Sequence, residues 1–470
     1  MSIYVFTITV FCAKGFFALI DLRPTLEQMR LVPKMEAWKK TSSEYESQWR
    51  YIESFMKDYS GTFFSPIRTI IDRAVKIDSR KLWEYINPLG PIAPQLVGLD
   101  SPKNYLVVFQ NPAEARGTGG IIGLFAVVEV SKSGIEIKQI GSNSILQSLD
   151  MIPIKMPSDY VNLYGSDPAI WQNSNLSPHF PYGAKIYLEL FRIQFGQQLD
   201  GVIAVDSFVL EAIMKNLNPI NINGIEINYR NVVDWTLSKS YSYYANSVNE
   251  RKAFLVKLVS SVGKELEEEK FSRLKMLSSL QQPLKEHRIL IYNSNPDIQK
   301  RIEHSQLSGS LDLSQSNEFR LVIINTSGNK MDYYLQREVV VRRKACGNQT
   351  EVDFVVKNGA TLSMRLPSYV SGRLDRNEPN GIRNSHGVTA LLYGPKSSYV
   401  EQVEDLDSGE SLGYVAEERG RPIFGVALDL AAQQSRHFRV KFIGKPGELS
   451  IYTQPLVVDQ KNHIIDRCRG

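Results

Sequence analysis

The spacing of apolar and polar residues predicts alternating strands and helices over residues 99–309. Apolar runs typical of buried strands and amphipathic stretches with helical spacing follow one another along this part of the chain. Such alternation predicts an α/β (α+β) core. The predicted elements are strands at 105–110, 121–130 and 135–140, a helix at 182–195, a strand at 200–205, helices at 206–217, 246–269 and 266–284, a strand at 287–292 and a short helix from Pro296.

Two polar segments interrupt this pattern and are predicted to be loops. Residues 111–120 are polar and rich in glycine, and residues 148–181 are rich in proline and asparagine. A loop of the second length inside a compact domain favours a lid or a binding loop over a simple connection.

The pattern changes after residue 310. Short segments rich in β-branched residues, separated by turns, predict an antiparallel β-sandwich-like domain over residues 310–470. Its predicted strands lie at 319–324, 333–342, 350–356, 360–365, 422–428 and 437–442.

The N-terminal part carries two further predicted segments. Residues 24–98 have apolar and aromatic side chains near helical spacing and predict a helical segment. Residues 3–20 are almost entirely apolar or small, and only Lys14 interrupts them. Because a bilayer helix needs about 20 apolar residues, three interpretations stay open. The stretch is a membrane anchor over residues 1–23, a buried helix, or a cleaved signal peptide.

Composition excludes several classes of protein. With 43% hydrophobic and 22% charged residues over 470 positions, the chain is globular and long enough for about three domains. A net charge of +5 gives no case for a nucleic-acid binder. Three cysteines exclude a four-cysteine zinc site. Cys346 and Cys468 form one disulfide in an oxidising compartment, or they are two unrelated thiols.

Candidate chemistry begins in the loop at 111–120. Glu114 and Arg116 are two residues apart, so they point to the same side of an extended segment. The backbone N–H groups of Gly119 and Gly120 could receive an anion beside them. This arrangement is able to hold a metal and a phosphate. The alternative is a surface ion pair that contributes little to stability.

Two further positions are candidates for ligand binding. Asp206 ends a predicted strand, where ligands bind in open α/β sheets, although a helix N-cap is the commoner use of aspartate there. Arg251 lies near the start of the longest predicted helix. Tyr241, Tyr243 and Tyr244 precede it and either line a groove or pack internally.

The sequence contains four blocks in order: YLVVFQNPAEARGTGG at 105–120, SPHFP at 177–181, DGVIAVD at 200–206 and ER at 250–251. Together these blocks resemble a bacterial envelope-protein family of unassigned function. That family is distantly similar to the LytR-CpsA-Psr phosphotransferases, which use magnesium and arginines to move glycopolymers from a polyprenyl-pyrophosphate carrier to the cell wall. The resemblance covers roughly residues 100–300 and implies a protein anchored in the membrane and facing outward.

The resemblance assigns roles to individual residues. Arg116 matches the arginine that clamps the pyrophosphate, Arg251 matches the helix arginine, and Glu114 completes the implied catalytic set. Magnesium is expected on Glu114 and Asp206, because a hard cation prefers carboxylate oxygens. The resemblance adds Gln110 and Asn111 as ligand-binding residues, beside Gly119, Gly120 and Asp206, which are candidates from their positions alone.

The sequence also departs from the phosphotransferase pattern. Their Arg-Asp pair after the third strand has no clear counterpart, with only Asp150 nearby, and their first metal-binding acid is an amide here. The first hypothesis is therefore an envelope protein that transfers or binds polyprenyl-pyrophosphate-linked glycopolymers. The rivals are a non-catalytic scaffold that binds a cell-wall polymer or a partner, and a soluble cytosolic binding protein.

Overall fold

A computed structural model describes most of the chain after residue 88. The described residues are 89, 92–132, 134–165, 170–268, 271, 273–313, 317–343, 347–376, 383–409, 412–445 and 447–468. The predicted anchor at 1–23 and nearly all of the predicted helical segment at 24–98 lie outside them. Among the helices of the described part, none is long and apolar enough to cross a membrane.

A five-stranded mixed sheet forms the centre of the first half. Its strand order is β3-β2-β1-β4-β7, in which β1 and β4 are parallel and the other neighbours are antiparallel. A two-stranded hairpin, β5-β6, lies apart from this sheet. The strands are β1 (Lys103–Arg116), β2 (Gly119–Ser131), β3 (Gly134–Ser142), β4 (Gly201–Asp206), β5 (Ile220–Ile222), β6 (Ile225–Ile227) and β7 (Leu290–Asn293).

Helices cover both faces of this sheet. The predictions for the two longest helices, α3 and α7, agree closely with the structure, because their ends carry clear signals. Gly196 ends α3 in a left-handed conformation, and the Ser247 side chain caps α7. The helices are α1 (Ala93–Leu96), α2 (Ser158–Tyr164), α3 (Phe180–Phe195), α4 (Ser207–Met214), α5 (Val232–Asp234), α6 (Ser240–Tyr243), α7 (Val248–Glu267), α8 (Arg273–Lys285) and α9 (Pro296–Ile302), with a π-helical turn at Trp235–Lys239.

Two hydrophobic clusters lie on opposite faces of the sheet. Successive residues of β1 alternate between them: Val107 belongs to the cluster that contains Leu258 of α7, and Val108 belongs to the cluster that contains Phe191 of α3. Because both faces are covered, β1 and β4 are apolar along nearly all of their shared length. The mixed α/β architecture of this half is therefore as the sequence predicts.

The second half is a sandwich of two five-stranded sheets. Their strand orders are β12-β15-β10-β9-β17 and β13-β14-β11-β8-β16. Phe354 and Phe438 from one sheet and Phe424 and Leu392 from the other share one buried core. The elements are β8 (Asn317–Asn325), β9 (Leu335–Arg343), β10 (Gln349–Asn358), α10 (Ser368–Ser371), β11 (His386–Tyr393), β12 (Tyr399–Asp405), β13 (Tyr414–Glu418), β14 (Arg421–Leu430), β15 (Ser435–Ile443), β16 (Leu449–Thr453) and β17 (Lys461–Asp466).

Three predictions for the sandwich are corrected by the structure. The sheets are not purely antiparallel, because β16 pairs with β8 and β17 with β9 in parallel. Residues 360–365 form a loop and not a strand. Side chains satisfy the backbone there: Asn358 accepts from the N–H of Ala360 (3.1 Å), and the Asn384 amide donates to the carbonyl of Thr361 (2.7 Å). Strands β11, β12, β13, β16 and β17 were not predicted.

The two halves are joined by buried contacts. The Ala115 side chain, at the end of β1, is part of the sandwich core. The Gln454 side chain, after β16, donates to the carbonyl of Arg116 (2.7 Å). His179, just before α3, accepts from the N–H of Leu311 at Nδ1 (3.1 Å). Strand β1 thus carries the candidate residues 110–116 from the α/β sheet into the boundary with the sandwich.

Cys468 is disulfide-bonded. The other two cysteines, Cys12 and Cys346, lie outside the described residues. A disulfide is typical of proteins that fold in an oxidising compartment.

Candidate functional site

A bulge in β1 shapes the candidate segment. The sequence predicted a loop at 111–120, but β1 continues to Arg116, and the turn to β2 contains only Gly117 and Thr118. Between the pairs Asn111–Ile121 and Ala115–Gly120, three residues of β1 have no partner in β2. The Asn111 side chain holds this bulge by accepting from the N–H of Ala113 (3.0 Å).

Glycine is required where this bulge meets β2. A Cβ atom on Gly120 would lie 2.1 Å from the carbonyl oxygen of Asn111, and one on Gly117 would lie 2.2 Å from the carbonyl oxygen of Leu176. Both neighbours are backbone atoms, which cannot rotate away. These glycines therefore permit two main chains to approach each other closely. The sequence analysis had instead predicted that the backbone N–H groups of Gly119 and Gly120 receive an anion.

We expect Gly120→Ala to lower the free energy of unfolding by about 1–3 kcal/mol, because the added methyl group forces the bulge apart. Gly123→Ala, on the same strand, is the matched control, since its Cβ would meet only one atom, at 3.9 Å. Urea unfolding of the full chain measures both. Equal stability of the two variants would show that the bulge is not tightly packed.

Glu114 lies in the bulge and is the centre of a buried ion cluster. It accepts from Nη2 of Arg116 (3.0 Å) and forms an ion pair with Lys330, which belongs to the turn after β8. All three side chains are at most 7% exposed. Burial opposes ionisation of Glu114, but Lys330 and Arg116 outweigh it and hold the pKa of Glu114 below its usual value. The cluster is therefore a charged network with one carboxylate and two cations.

Arg116 has little capacity left for a ligand. Its Nε donates to the carbonyl of Gln172 (3.0 Å), and its Nη1 donates to the carbonyls of Ala115 (2.9 Å) and Asn325 (3.4 Å). With the bond to Glu114, four of its five N–H groups are engaged. The structure thus places Arg116 as a brace between the α/β sheet and the sandwich.

Asp332 supports the same segment from the sandwich side. It accepts from the N–H of Ala115 (2.8 Å), from the Asn325 amide (2.6 Å) and from Nε2 of His386 (2.9 Å). Burial opposes its ionisation, but His386 and these donors hold the pKa of Asp332 below its usual value. The end of β1 is therefore fixed by two buried carboxylates, Glu114 and Asp332.

Gln110 holds the turn between β1 and β2. Its Oε1 accepts from Thr118 Oγ1 (2.7 Å), from the Asn175 amide (3.1 Å) and from the N–H of Gly120 (3.4 Å). Gly119 adopts a φ of 137° at this turn. These predicted ligand-binding residues are engaged with one another, so the structure gives them a scaffold role.

Asp206 belongs to a different ion pair from Glu114. Its Oδ1 caps α4 by accepting from the N–H groups of Phe208 (2.9 Å) and Val209 (3.2 Å), and its Oδ2 accepts from Arg288 Nη1 (2.6 Å). Arg288 also lies over the Phe208 ring, with its Cζ 3.9 Å from the centroid. The N-cap alternative for Asp206 is therefore what the structure shows.

The residues present do not fit the magnesium site predicted on Glu114 and Asp206. Each carboxylate belongs to its own ion pair with a buried basic side chain, whereas Mg²⁺ prefers oxygen ligands that are free to coordinate it. Within the described residues, no group of three or more His, Cys, Asp or Glu side chains converges to hold a metal.

Arg251 is the one predicted site residue with a free charged group. It is 6% exposed, and no hydrogen bond or ion pair to its guanidinium is present among the described residues. Its Cζ lies 4.3 Å from the centroid of the Tyr241 ring and 5.0 Å from that of Tyr369, and these two rings stack at 5.6 Å. Cation–π contacts therefore hold the guanidinium without neutralising its charge.

Two lysines add to this positive charge. Lys330 Nζ lies 5.5 Å from the centroid of the Tyr369 ring. Burial and then the charges of Arg251 and Lys330 lower the pKa of Lys252. The Glu114 carboxylate is paired with Lys330. We call Arg251, Lys252, Lys330, Tyr241 and Tyr369 the Arg251 cluster.

The Arg251 cluster connects to the β1 bulge through Tyr241. Its hydroxyl accepts from the Asn111 amide (2.8 Å), and burial raises its pKa. Tyr369 is 45% exposed and forms the solvent side of the cluster. Lys330 and Tyr369 were missed by the sequence analysis, because nothing in a β-rich segment signals that it contributes to a site in another domain.

Comparison with known proteins finds a similarity over part of the chain. Residues 100–241 match a family described as a protein of unknown function (DUF4012). The match covers β1 and the residues up to Tyr241 but excludes Arg251, Lys330 and Tyr369. No curated protein matches the chain significantly.

Proposed function

We propose that this chain is a cell-envelope protein that binds polyprenyl-pyrophosphate-linked glycopolymers at the Arg251 cluster. The observation that carries the proposal is the buried Arg251 guanidinium, which has no carboxylate or hydrogen-bond partner among the described residues. A buried unpaired cation is costly, so it is typical of a site that a ligand completes. A pyrophosphate offers the charge and the oxygens that this guanidinium lacks.

The location in the envelope rests on separate observations. The four sequence blocks resemble an envelope family, and the disulfide at Cys468 fits an oxidising compartment outside the cytoplasm. Membrane attachment through the apolar residues 3–20 stays part of the proposal. The alternative of a soluble cytosolic protein fits the disulfide less well.

Transfer of the glycopolymer is the second candidate function. It is favoured by the lysines beside Arg251, because phosphoryl transfer depends mainly on neutralising charge around the phosphates. Against it, Glu114 and Asp206 are already paired with basic residues, so magnesium would be bound chiefly by the phosphates of the ligand itself. Binding without transfer therefore fits the site better.

Calorimetric titration of the full chain with farnesyl pyrophosphate, with and without magnesium, tests the proposal. We expect binding in both conditions, and we expect Arg251→Gln to weaken it by about 1.5–3 kcal/mol, the loss of a charge-assisted hydrogen bond. Arg192→Gln is the matched control, because Arg192 is an exposed arginine of α3 paired with Glu189.

Each outcome of this titration has a defined meaning. Equal affinity of Arg251→Gln and the unchanged chain would remove the Arg251 cluster as the site. Binding that requires magnesium would favour the transferase and justify an assay for transfer to cell-wall acceptors. Absence of binding by a chain with unchanged circular dichroism would favour a scaffold that recognises polymer or protein partners.

A further inference from the structure

The connection between β10 and β11 presents large apolar side chains to solvent. Leu374 is 83% exposed, Leu362 is 65% exposed and Tyr369 is 45% exposed. Single exposed apolar residues are ordinary, but several within one short segment mark a surface that interacts with something. We call residues 361–376 the docking segment.

Hydrogen bonds fix the backbone of this segment. The N–H of Leu374 donates to the carbonyl of Ser327 (2.8 Å), and the carbonyl of Val370 accepts from the N–H of Lys330 (2.9 Å). The buried Asn384 amide donates to the carbonyls of Thr361 (2.7 Å) and Met364 (3.2 Å). The exposure of the leucines is therefore a property of a well-tied loop and not of a loose end.

The docking segment is also basic. It contains three arginines and one aspartate, which gives it a net charge of +2. Arg373 is paired with Asp375 and Asp429, and Arg376 is also paired with Asp429. Arg365 is exposed and has no carboxylate partner among the described residues, so it is the free positive charge of the segment. Apolar tips beside basic groups are typical of segments that lie in the interface of an anionic membrane.

The docking segment borders the Arg251 cluster. Tyr369 belongs to both, since its ring contacts Arg251 and Lys330. Leu374 packs against Gly328, two residues before Lys330: a Cβ atom on this glycine would meet the Leu374 side chain at 2.8 Å. A surface that contacts this segment therefore also faces the cluster.

We propose that the docking segment binds an anionic phospholipid bilayer, with Leu362 and Leu374 in the interface and Arg365 among the headgroups. A bilayer fits better than a protein partner. A stable protein interface needs about 800 Å² on each side, whereas a membrane needs only a few apolar tips and nearby positive charge. The docking goes beyond the proposed ligand binding and does not depend on it.

Tryptophan placed at the tip of the segment tests this docking. The full chain carrying Leu374→Trp is mixed with phosphatidylglycerol vesicles whose acyl chains are brominated, and the emission of the unchanged chain is subtracted. We expect about a twofold quenching of the added tryptophan, because bromine quenches only residues that enter the acyl region. Val415→Trp, at a position that is 59% exposed on β13, is the matched control and is expected to show no quenching.

The controls separate docking from other causes. Any attachment through residues 1–88 is common to both variants and cannot produce a difference between them. The vesicles contain no pyrophosphate lipid, and Arg251→Gln combined with Leu374→Trp is expected to be quenched as strongly as Leu374→Trp alone, which keeps this test independent of the proposed ligand site. Equal quenching of the Leu374→Trp and Val415→Trp variants, or none in either, would overturn the proposal and leave a protein partner as the occupant of this surface.

Discussion

Glu114→Gln is expected to lower the free energy of unfolding by about 3–5 kcal/mol, the cost of leaving a buried charge without its partner. At neutral pH both Glu114 and its partner Lys330 are ionised. Burial opposes the charge on Lys330, but Glu114 outweighs it and raises the pKa of Lys330. Without the Glu114 carboxylate, the buried Lys330 would have no negative charge in contact with it. It would instead lie near two further buried cations, Arg116 and Arg251. Urea unfolding of the full chain measures the loss.

A second variant distinguishes the unpaired charge from a simple loss of packing. Glu114→Gln combined with Lys330→Met replaces the ion pair by an amide and an apolar side chain of similar length. We expect this double variant to recover most of the lost stability, because the uncompensated charge is gone. A double variant that is less stable than Glu114→Gln alone would show that the aliphatic stem and hydrogen bonds of Lys330, and not charge balance, stabilise this junction.

The α/β half could largely be predicted because its signals are local and long. Helix α7 was predicted at 246–269 and runs over Val248–Glu267, and α3 was predicted at 182–195 and runs over Phe180–Phe195. Strand β4 is buried along its whole length and was visible as an apolar run.

The end of β1 was mispredicted for a physical reason. Asparagine, proline and glycine are typical of loops, but here the Asn111 side chain satisfies the N–H of Ala113, so the strand continues through a bulge. The edge strands of the sandwich were missed for another reason. Strand β17 is exposed on both faces, so its sequence lacks the alternation that marks a half-buried strand.

The candidate site could be predicted only in part. Arg251 and Tyr241 were both selected, and the structure brings them together. The partners from the sandwich, Lys330 and Tyr369, are at least 79 residues away in sequence, and no periodicity connects them to Arg251. The resemblance assigned Arg116 to the ligand, but its donors bind main-chain carbonyls in the junction between the two halves.

The Arg251 cluster depends on both halves of the chain, because it lies at the junction between them. Residues 100–241 carry Asn111, Glu114 and Tyr241, while the sandwich supplies Lys330 and Tyr369. Because Asp332 and Gln454 also bond to the end of β1, the sandwich both completes the cluster and fixes the strand on which it is built. A change at this boundary is therefore expected to affect stability and ligand binding together.

Acid is expected to weaken the same boundary through His179. Its Nδ1 accepts from the N–H of Leu311, so this nitrogen must be unprotonated in the folded protein. Burial, aided by the charge of Arg419, lowers the pKa of His179 to about 3. The unfolded chain, with a histidine pKa of about 6.5, binds a proton that the folded chain does not between these two values. The contribution of neutral His179 to the free energy of unfolding is therefore fully present above pH 6.5 and is lost progressively as the pH falls toward 3.

Urea unfolding at pH 7 and pH 4.5 measures this loss. Each pH unit below 6.5 costs about 1.4 kcal/mol per histidine, so His179 accounts for about 3 kcal/mol of lost stability at pH 4.5. His179→Asn keeps an acceptor oxygen near the position of Nδ1 and cannot be protonated, so its stability is expected to fall by about 3 kcal/mol less over this interval. His463→Asn, which removes an exposed histidine of β17, is the matched control and is expected to follow the unchanged chain.

If His179→Asn lost as much stability in acid as the unchanged chain, the proton uptake would have to occur elsewhere. The half-buried His287, whose pKa is lowered to about 4, would then be the next group to replace.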